Sequence, residues 1–154
     1  MVFSEMLFEP LPAPIPQEFT IEKWFDLERC VAALFYASGS QVFLQGGSRP
    51  DGGVDLVALD GGRATVIQCR HSRKRSGVAS LRELLGAMVD FRASKASFVA
   101  TAGFTDEAIR FARRNTMELV DQTTLNAALS RHRYAQDFLE AIDYFSKKCP
   151  KCGA

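Results

Sequence analysis

No stretch of this chain approaches the run of roughly 18–20 apolar residues that a membrane span needs, so no membrane partner is expected. Charge of one sign is also lacking. Nineteen Lys and Arg stand against eighteen Asp and Glu, a formal net charge of +1. That balance excludes a globally basic nucleic-acid binder and leaves room for a local basic patch. Cysteine is scarce: the 154 residues hold four, two of them in a tight pair at the very end. This is no disulfide framework, and a reducing, cytoplasmic setting is expected. The opening MVFSEMLFEPLPAPIP lacks the basic region of a secretory signal and breaks up into prolines. No internal repeat is visible. What is present is 47% apolar and 24% charged, ordinary for a globular protein and enough for one domain with its own core.

Residues 1–19, with Pro10, Pro12, Pro14 and Pro16, read as an extended arm. A folded domain is expected over 20–146. Its first helix starts near Thr20, a good N-cap, and runs to about Ser38 before Gly39. A short strand at Gln41–Gln45 precedes a Gly-rich turn, Gly46–Gly53. Strands follow at Val54–Leu59 and Ala64–Arg70, joined through Gly61-Gly62, which supplies the positive φ of a two-residue hairpin turn. Ser80 and Glu83 fit a capping box for a helix at Leu81–Phe91. A strand Ser97–Thr101, a helix Asp106–Arg114 capped by Thr105, and a strand Glu118–Val120 come next. Helical patterns close the chain at Thr123–Ser130 and Tyr134–Phe145. The order α-β-β-β-α-β-α-β-α-α predicts a three-layer α/β/α sandwich around a mixed sheet.

Two features break this bland pattern. In the first helix Ile21, Trp24, Phe25, Val31, Leu34 and Phe35 share one arc, and Glu28 falls inside it. A carboxylate aimed at a core needs a partner or a metal; an edge position paired with an Arg is the alternative. In the hairpin, a symmetric turn at Gly61-Gly62 pairs Leu59 with Ala64, Val57 with Val66, and Asp55 with Gln68. Arg70 lies two residues further on the same face, while Val54, Leu56, Ala58, Ile67 and Cys69 make the other face apolar. Asp and Gln oxygens with nearby carbonyls suit a hard cation such as Mg²⁺, and an Arg beside them suits a phosphate. A structural ion pair between Asp55 and Arg70, or a bulge that shifts the register, would serve as well.

Beyond the hairpin, His71-Ser72-Arg73-Lys74-Arg75 offers Arg73, Lys74 and Arg75 to the phosphates of a nucleic acid should one be bound, or is simply a solvated loop. Cys149-Pro150-Lys151-Cys152-Gly153 has the shape of a zinc knuckle. Two thiolates occupy one edge of a tetrahedral Zn site that takes four ligands, so residues 147–154 are expected to begin a zinc ribbon that continues past this sequence. Cys30 and Cys69 fall in buried patterns and read as packing residues.

The ordered set Leu27-Glu28-Arg29-Cys30-Val31, Gly39, Asp51-Gly52-Gly53-Val54-Asp55-Leu56 and Gln68-Cys69-Arg70 resembles the Mrr-type restriction endonucleases of the PD-(D/E)xK nuclease superfamily. Arg82–Ala87, Val99–Thr105, Ala108, Phe111-Ala112 and Leu119–Asp121 extend the resemblance, which covers about Phe25 to Leu125. It implies a restriction-endonuclease-like fold over 20–146 and metal-assisted hydrolysis of DNA phosphodiesters with Mg²⁺ or Mn²⁺. Carried over, Asp55 is the metal-binding carboxylate and Gln68 stands at the (D/E) position. Cys69 lends its backbone carbonyl, and Glu28 completes the site from the helix. The Pro50-Asp51 pair imitates the PD of the superfamily name but does not face Gln68. Arg70 replaces the family's Lys, and it keeps a positive charge that cannot take up a proton. The resemblance implies a restriction or phage-defence endonuclease; since one site cuts one phosphodiester, a homodimer is expected if it breaks both strands. The alternatives are a DNA-binding module that has lost chemistry and a structure-selective, junction-resolvase-like nuclease.

Overall fold

A computed structural model of the protein describes residues 24–45 and 53–131. The expected arm at 1–19, the Thr20 cap, most of the Gly46–Gly53 turn, the helix at Tyr134–Phe145 and the pair Cys149 and Cys152 lie outside the described residues.

Helix α1 (Trp24–Ala37) ends where Gly39 takes φ +96°, a left-handed turn that admits glycine without strain. Strand β1 (Gln41–Leu44) follows, then β2 (Leu56–Asp60) and β3 (Arg63–Arg70). Gly61 (φ +57°) and Gly62 (φ +82°) make the turn between β2 and β3, with the two positive φ values expected. The expected pairing is also observed: Leu56 with Ile67, Val57 with Val66, Ala58 with Thr65 and Leu59 with Ala64. Helix α2 (Val78–Asp90), strand β4 (Lys95–Ala100), helix α3 (Asp106–Arg114), strand β5 (Glu118–Val120) and helix α4 (Gln122–Arg131) complete the described chain.

The five strands form one sheet in sequence order, antiparallel from β1 to β3 and parallel from β3 to β5. Parallel neighbours need crossovers, and α2 and α3 supply them. Both pack on one face, around Val57, Val66, Leu81, Leu84, Phe98, Phe104 and Phe111. The other face carries Leu27, Cys30, Val31 and Leu34 of α1 and Leu125 of α4, packed on Leu56, Ala58, Ile67 and Val99. The result is the three-layer α/β/α sandwich around a mixed sheet that the element order predicts. Each strand therefore alternates between two cores. Phe98, fully buried and edge-on to Phe104 at 5.7 Å, contributes about 2–3 kcal/mol by its burial.

Several ends shift by one residue, and three starts differ by two or three. Strand β2 begins at Leu56, not Val54, because the chain bends at Asp55. Strand β4 spans Lys95–Ala100, two residues earlier at its start than expected. Helix α2 begins at Val78, with Gly77 at the N-cap and no capping side chain. The Ser80 and Glu83 capping box does not form; Ser80 lies inside the first turn and its hydroxyl serves Arg70 instead. Thr105 caps α3 as expected, accepting from the Ala108 N–H at 3.2 Å.

Candidate active site

The antiparallel ladder between β2 and β3 stops at Leu56 and Ile67. Past this point β2 turns away and β3 continues, so the next donors of β3 lose their strand partner. Asp55 fills the gap. Its N–H donates to the Ile67 carbonyl and its carbonyl accepts from the Gln45 N–H, both at 2.9 Å. Its Oδ2 accepts from the Cys69 N–H at 2.8 Å. This corrects the expected register from Asp55 outward: Asp55 is not the in-line cross-strand partner of Gln68, and Val54, expected on the face of Leu56 and Ile67, packs with Val57 and Val66 on the α2 side. Asp55 sits at a bend, and its carboxylate takes the place that strand backbone would occupy.

Both faces of the sheet reach this carboxylate. Glu28 comes from α1, and its side chain is hydrogen-bonded to that of Asp55. Glu28 thus interrupts the apolar surface of α1 because Asp55 lies beneath it. Burial pushes the Asp55 carboxyl above its usual range; the Cys69 N–H, the Glu28 side chain and the charge of Arg70 oppose that rise. Cys69 shares the α1 side, and burial together with Asp55, Glu28 and Cys30 pushes its thiol well up. Burial pushes the Cys30 thiol up to about 12. Both thiols stay protonated, consistent with packing roles.

Gln68 and Arg70 alternate to the opposite face, that of Val66 and α2. The Gln68 Oε1 is buried and accepts no hydrogen bond. Such an orphaned acceptor is costly, and a cation would satisfy it. Arg70 Nη1 donates to Ser80 Oγ at 2.8 Å, and its Cζ lies 5.7 Å over the Phe98 ring. The Arg70 carbonyl accepts from the Thr101 N–H at 3.1 Å, so its backbone groups face β4. Alternation along the strand turns those of Cys69 toward β2. The Cys69 carbonyl therefore opens into the same gap as its N–H, beside Asp55.

The structure thus brings Glu28, Asp55 and the Cys69 backbone together and places Arg70 within electrostatic reach. It ties Gln68 to none of them by a hydrogen bond. Among the described residues no three His, Cys, Asp or Glu side chains form a metal-binding group. The available donors are one or two carboxylates, an amide oxygen and a backbone carbonyl, a hard oxygen set that fits Mg²⁺ or Mn²⁺. Sequence reading missed Ser80 and Phe98 as neighbours of Arg70. No local signal marks either, since both are brought there by the crossover from β3 to β4.

The basic loop leaves β3 at the same end. His71 Nδ1 is hydrogen-bonded to Thr101 Oγ1 at 3.0 Å, and Ser72 Oγ donates to the Lys74 carbonyl at 2.8 Å. Ser76 closes the loop by bridging to Phe104, with its N–H on the Gly103 carbonyl. Arg73, Lys74 and Arg75 are exposed between these anchors.

The sequence profile of the Mrr catalytic domain, described as a restriction endonuclease, matches residues 21–129. The chain belongs to the Mrr-type restriction endonuclease family. Solved structures share the fold. A protein of unknown function, AF1548, superposes with a TM-score of 0.56 at 14% identity over 77% of this chain and 66% of its own. The DNA modification-dependent restriction endonuclease AspBHI gives 0.56 at 15% over 78% of this chain and 35% of its own. The MspJI restriction endonuclease, solved with a 27-mer oligonucleotide, gives 0.54 at 19% over 86% of this chain and 33% of its own. The chain thus spans about two thirds of the first and about a third of the other two. No curated protein matches it in sequence. The restriction-endonuclease-like fold stands on these superpositions together with the mixed five-stranded sheet.

Proposed function

We propose that this domain is a metal-dependent DNA endonuclease of the restriction or phage-defence kind. The observation that carries the reading is the Asp55 carboxylate, held at the split between β2 and β3 with Glu28 on one side and the Cys69 backbone on the other. Two acidic side chains buried side by side cost stability, and a cation between or beside them would offset that cost. Asp55, the Cys69 carbonyl and Gln68 Oε1 would hold Mg²⁺ or Mn²⁺, with Glu28 behind Asp55. When bound, the ion supplies Lewis-acid polarisation of a phosphoryl oxygen and lowers the pKa of a bound water. Arg70 stabilises the negative charge that builds on the phosphoryl oxygens but takes up no proton. Glu28 and Asp55 are the only acidic groups at the site among the described residues that can accept one.

DNA is held at the same end of the sheet by Arg73, Lys74 and Arg75. A duplex cut on both strands meets two such sites, which a homodimer presents. The replacement of the family's Lys by Arg70 favours one second reading, a DNA-binding module without chemistry. Arg70 decides between them by its partner. An Arg locked on Asp55 would occupy the cation's place, and the structure holds Arg70 on Ser80 instead. Weak cleavage is therefore expected. A plasmid-nicking assay with Mn²⁺ and Mg²⁺ tests it: the wild type nicks slowly, Asp55→Ala is inert, and Arg70→Lys is faster. A folded wild type and a folded Arg70→Lys that both leave every DNA form intact would defeat this reading and favour the binding module.

A further inference from the structure

Arg70 sits in a contest between two surroundings. On one side is the buried carboxyl pair of Asp55 and Glu28, whose charge attracts a guanidinium. On the other is the first turn of α2, whose helix dipole repels one. No acidic residue in that first turn offsets the repulsion, and Gly77 at the N-cap adds no side chain. The carboxyl pair and the helix dipole thus both draw the guanidinium toward Asp55. The structure shows it on α2, with Nη1 on Ser80 Oγ at 2.8 Å and the guanidinium over the Phe98 ring. The Ser80 hydroxyl is spared for this because it caps no helix N–H.

We propose that Ser80 is a positioning residue that holds Arg70 away from the Asp55 carboxylate and so keeps the cation position open. Without the hydroxyl, the helix dipole and the carboxyl pair act in the same direction, and Arg70 competes with the cation for Asp55. The inference rests on the reading of Asp55 as a cation ligand and adds to it a reason why an Arg is tolerated beside it. Thr keeps the acceptor at position 80. Cys, near-isosteric with Ser, offers a much weaker one.

Titration calorimetry with Mn²⁺ alone tests this on the whole chain, with folding checked by circular dichroism. Ser80→Ala is expected to weaken Mn²⁺ binding about tenfold, and Ser80→Cys to weaken it likewise should the alanine variant fail to fold. Ser80→Thr should bind as the wild type does. Adding Arg70→Ala to Ser80→Ala should restore the affinity, since the competitor is gone. Wild-type affinity in both Ser80→Ala and Ser80→Cys overturns the proposal while leaving the cation site standing, as does a double variant that stays weak. A wild type that binds no Mn²⁺, or an Asp55→Asn variant that binds it unchanged, overturns the cation site and this proposal with it.

Discussion

Asp55 illustrates how a side chain can be costly to the fold and still be held firmly. Its backbone is hydrogen-bonded to Gln45 and Ile67 and its carboxylate to the Cys69 N–H. Its carboxyl nevertheless holds a proton more tightly than a free Asp does, chiefly because it is buried. An Asp whose pKa is raised on folding binds its proton more tightly when folded. It therefore costs stability once the pH passes the unfolded value, about 4, and the cost is complete above the folded value. Asn keeps an acceptor for Cys69 and removes the charge. Metal-free Asp55→Asn is expected to melt a few degrees above the wild type at neutral pH, with the gap closing toward pH 4, in thermal melts with chelator present. A lower melting temperature at neutral pH would mean that the charged form is the one the fold stabilises. If Asp55 is a cation ligand, its raised pKa sets a proton against the cation, so Mn²⁺ affinity measured by calorimetry should rise with pH.

At the scale of elements, what was legible in the sequence is what local chemistry decides. Gly61-Gly62 dictated the hairpin turn, and the turn in turn dictated the register down to Leu56 and Ile67. Thr105 with Asp106 and Glu107 at one end, and Arg113 and Arg114 at the other, defined α3 residue for residue. Glu28 stood out because a carboxylate on an apolar arc contradicts its surroundings. What escaped is what distant chain decides. The departure of β2 from the ladder at Asp55 involves Gln45, just past β1, whose N–H donates to the Asp55 carbonyl; the sequence offered a register shift only as one alternative. Ser80 carries a sound capping-box pattern, yet Arg70 claims its hydroxyl across the β3 to α2 connection. Asp121 is the converse case, a cap not marked in advance: its Oδ1 accepts from the Thr124 N–H at 2.8 Å and opens α4. That bond holds the Asp121 carboxyl below its usual range, so its contribution is present at neutral pH and lost as the pH falls through that lowered value. Asp121→Ala should destabilise the domain by about 1 kcal/mol in urea unfolding at pH 7. The difference from the wild type should shrink in acid.

The whole molecule divides its labour between the two ends of one sheet. The ends of β3 and β4 carry Arg70, His71 and Thr101, and the basic loop is pinned there by His71 and by the Ser76–Phe104 bridge. A loop fixed at both ends presents Arg73, Lys74 and Arg75 with little ordering left to do on binding, which favours affinity. Replacing the three by Gln should weaken DNA binding uniformly across sequences. The slope of log affinity against log salt should flatten by about 0.9 for each phosphate that the variant no longer neutralises, read by fluorescence anisotropy from low to moderate salt. An unchanged slope would place the DNA-binding surface elsewhere on the domain.

The opposite end of the hairpin carries neither the Asp55 carboxylate nor the basic loop. Gly61, Gly62 and Arg63 are exposed, and a methyl group added at either glycine would meet nothing within 4 Å. Asp60 and Asp55 are five residues apart along nearly extended chain, roughly 16 Å. The turn is thus a natural splice point. A flexible insert there, flanked by Gly to keep both positive φ angles, could carry a fluorophore or a foreign DNA-reading domain. The domain would then be steered to chosen sequences from its far side, with its carboxylates and basic loop left as they are.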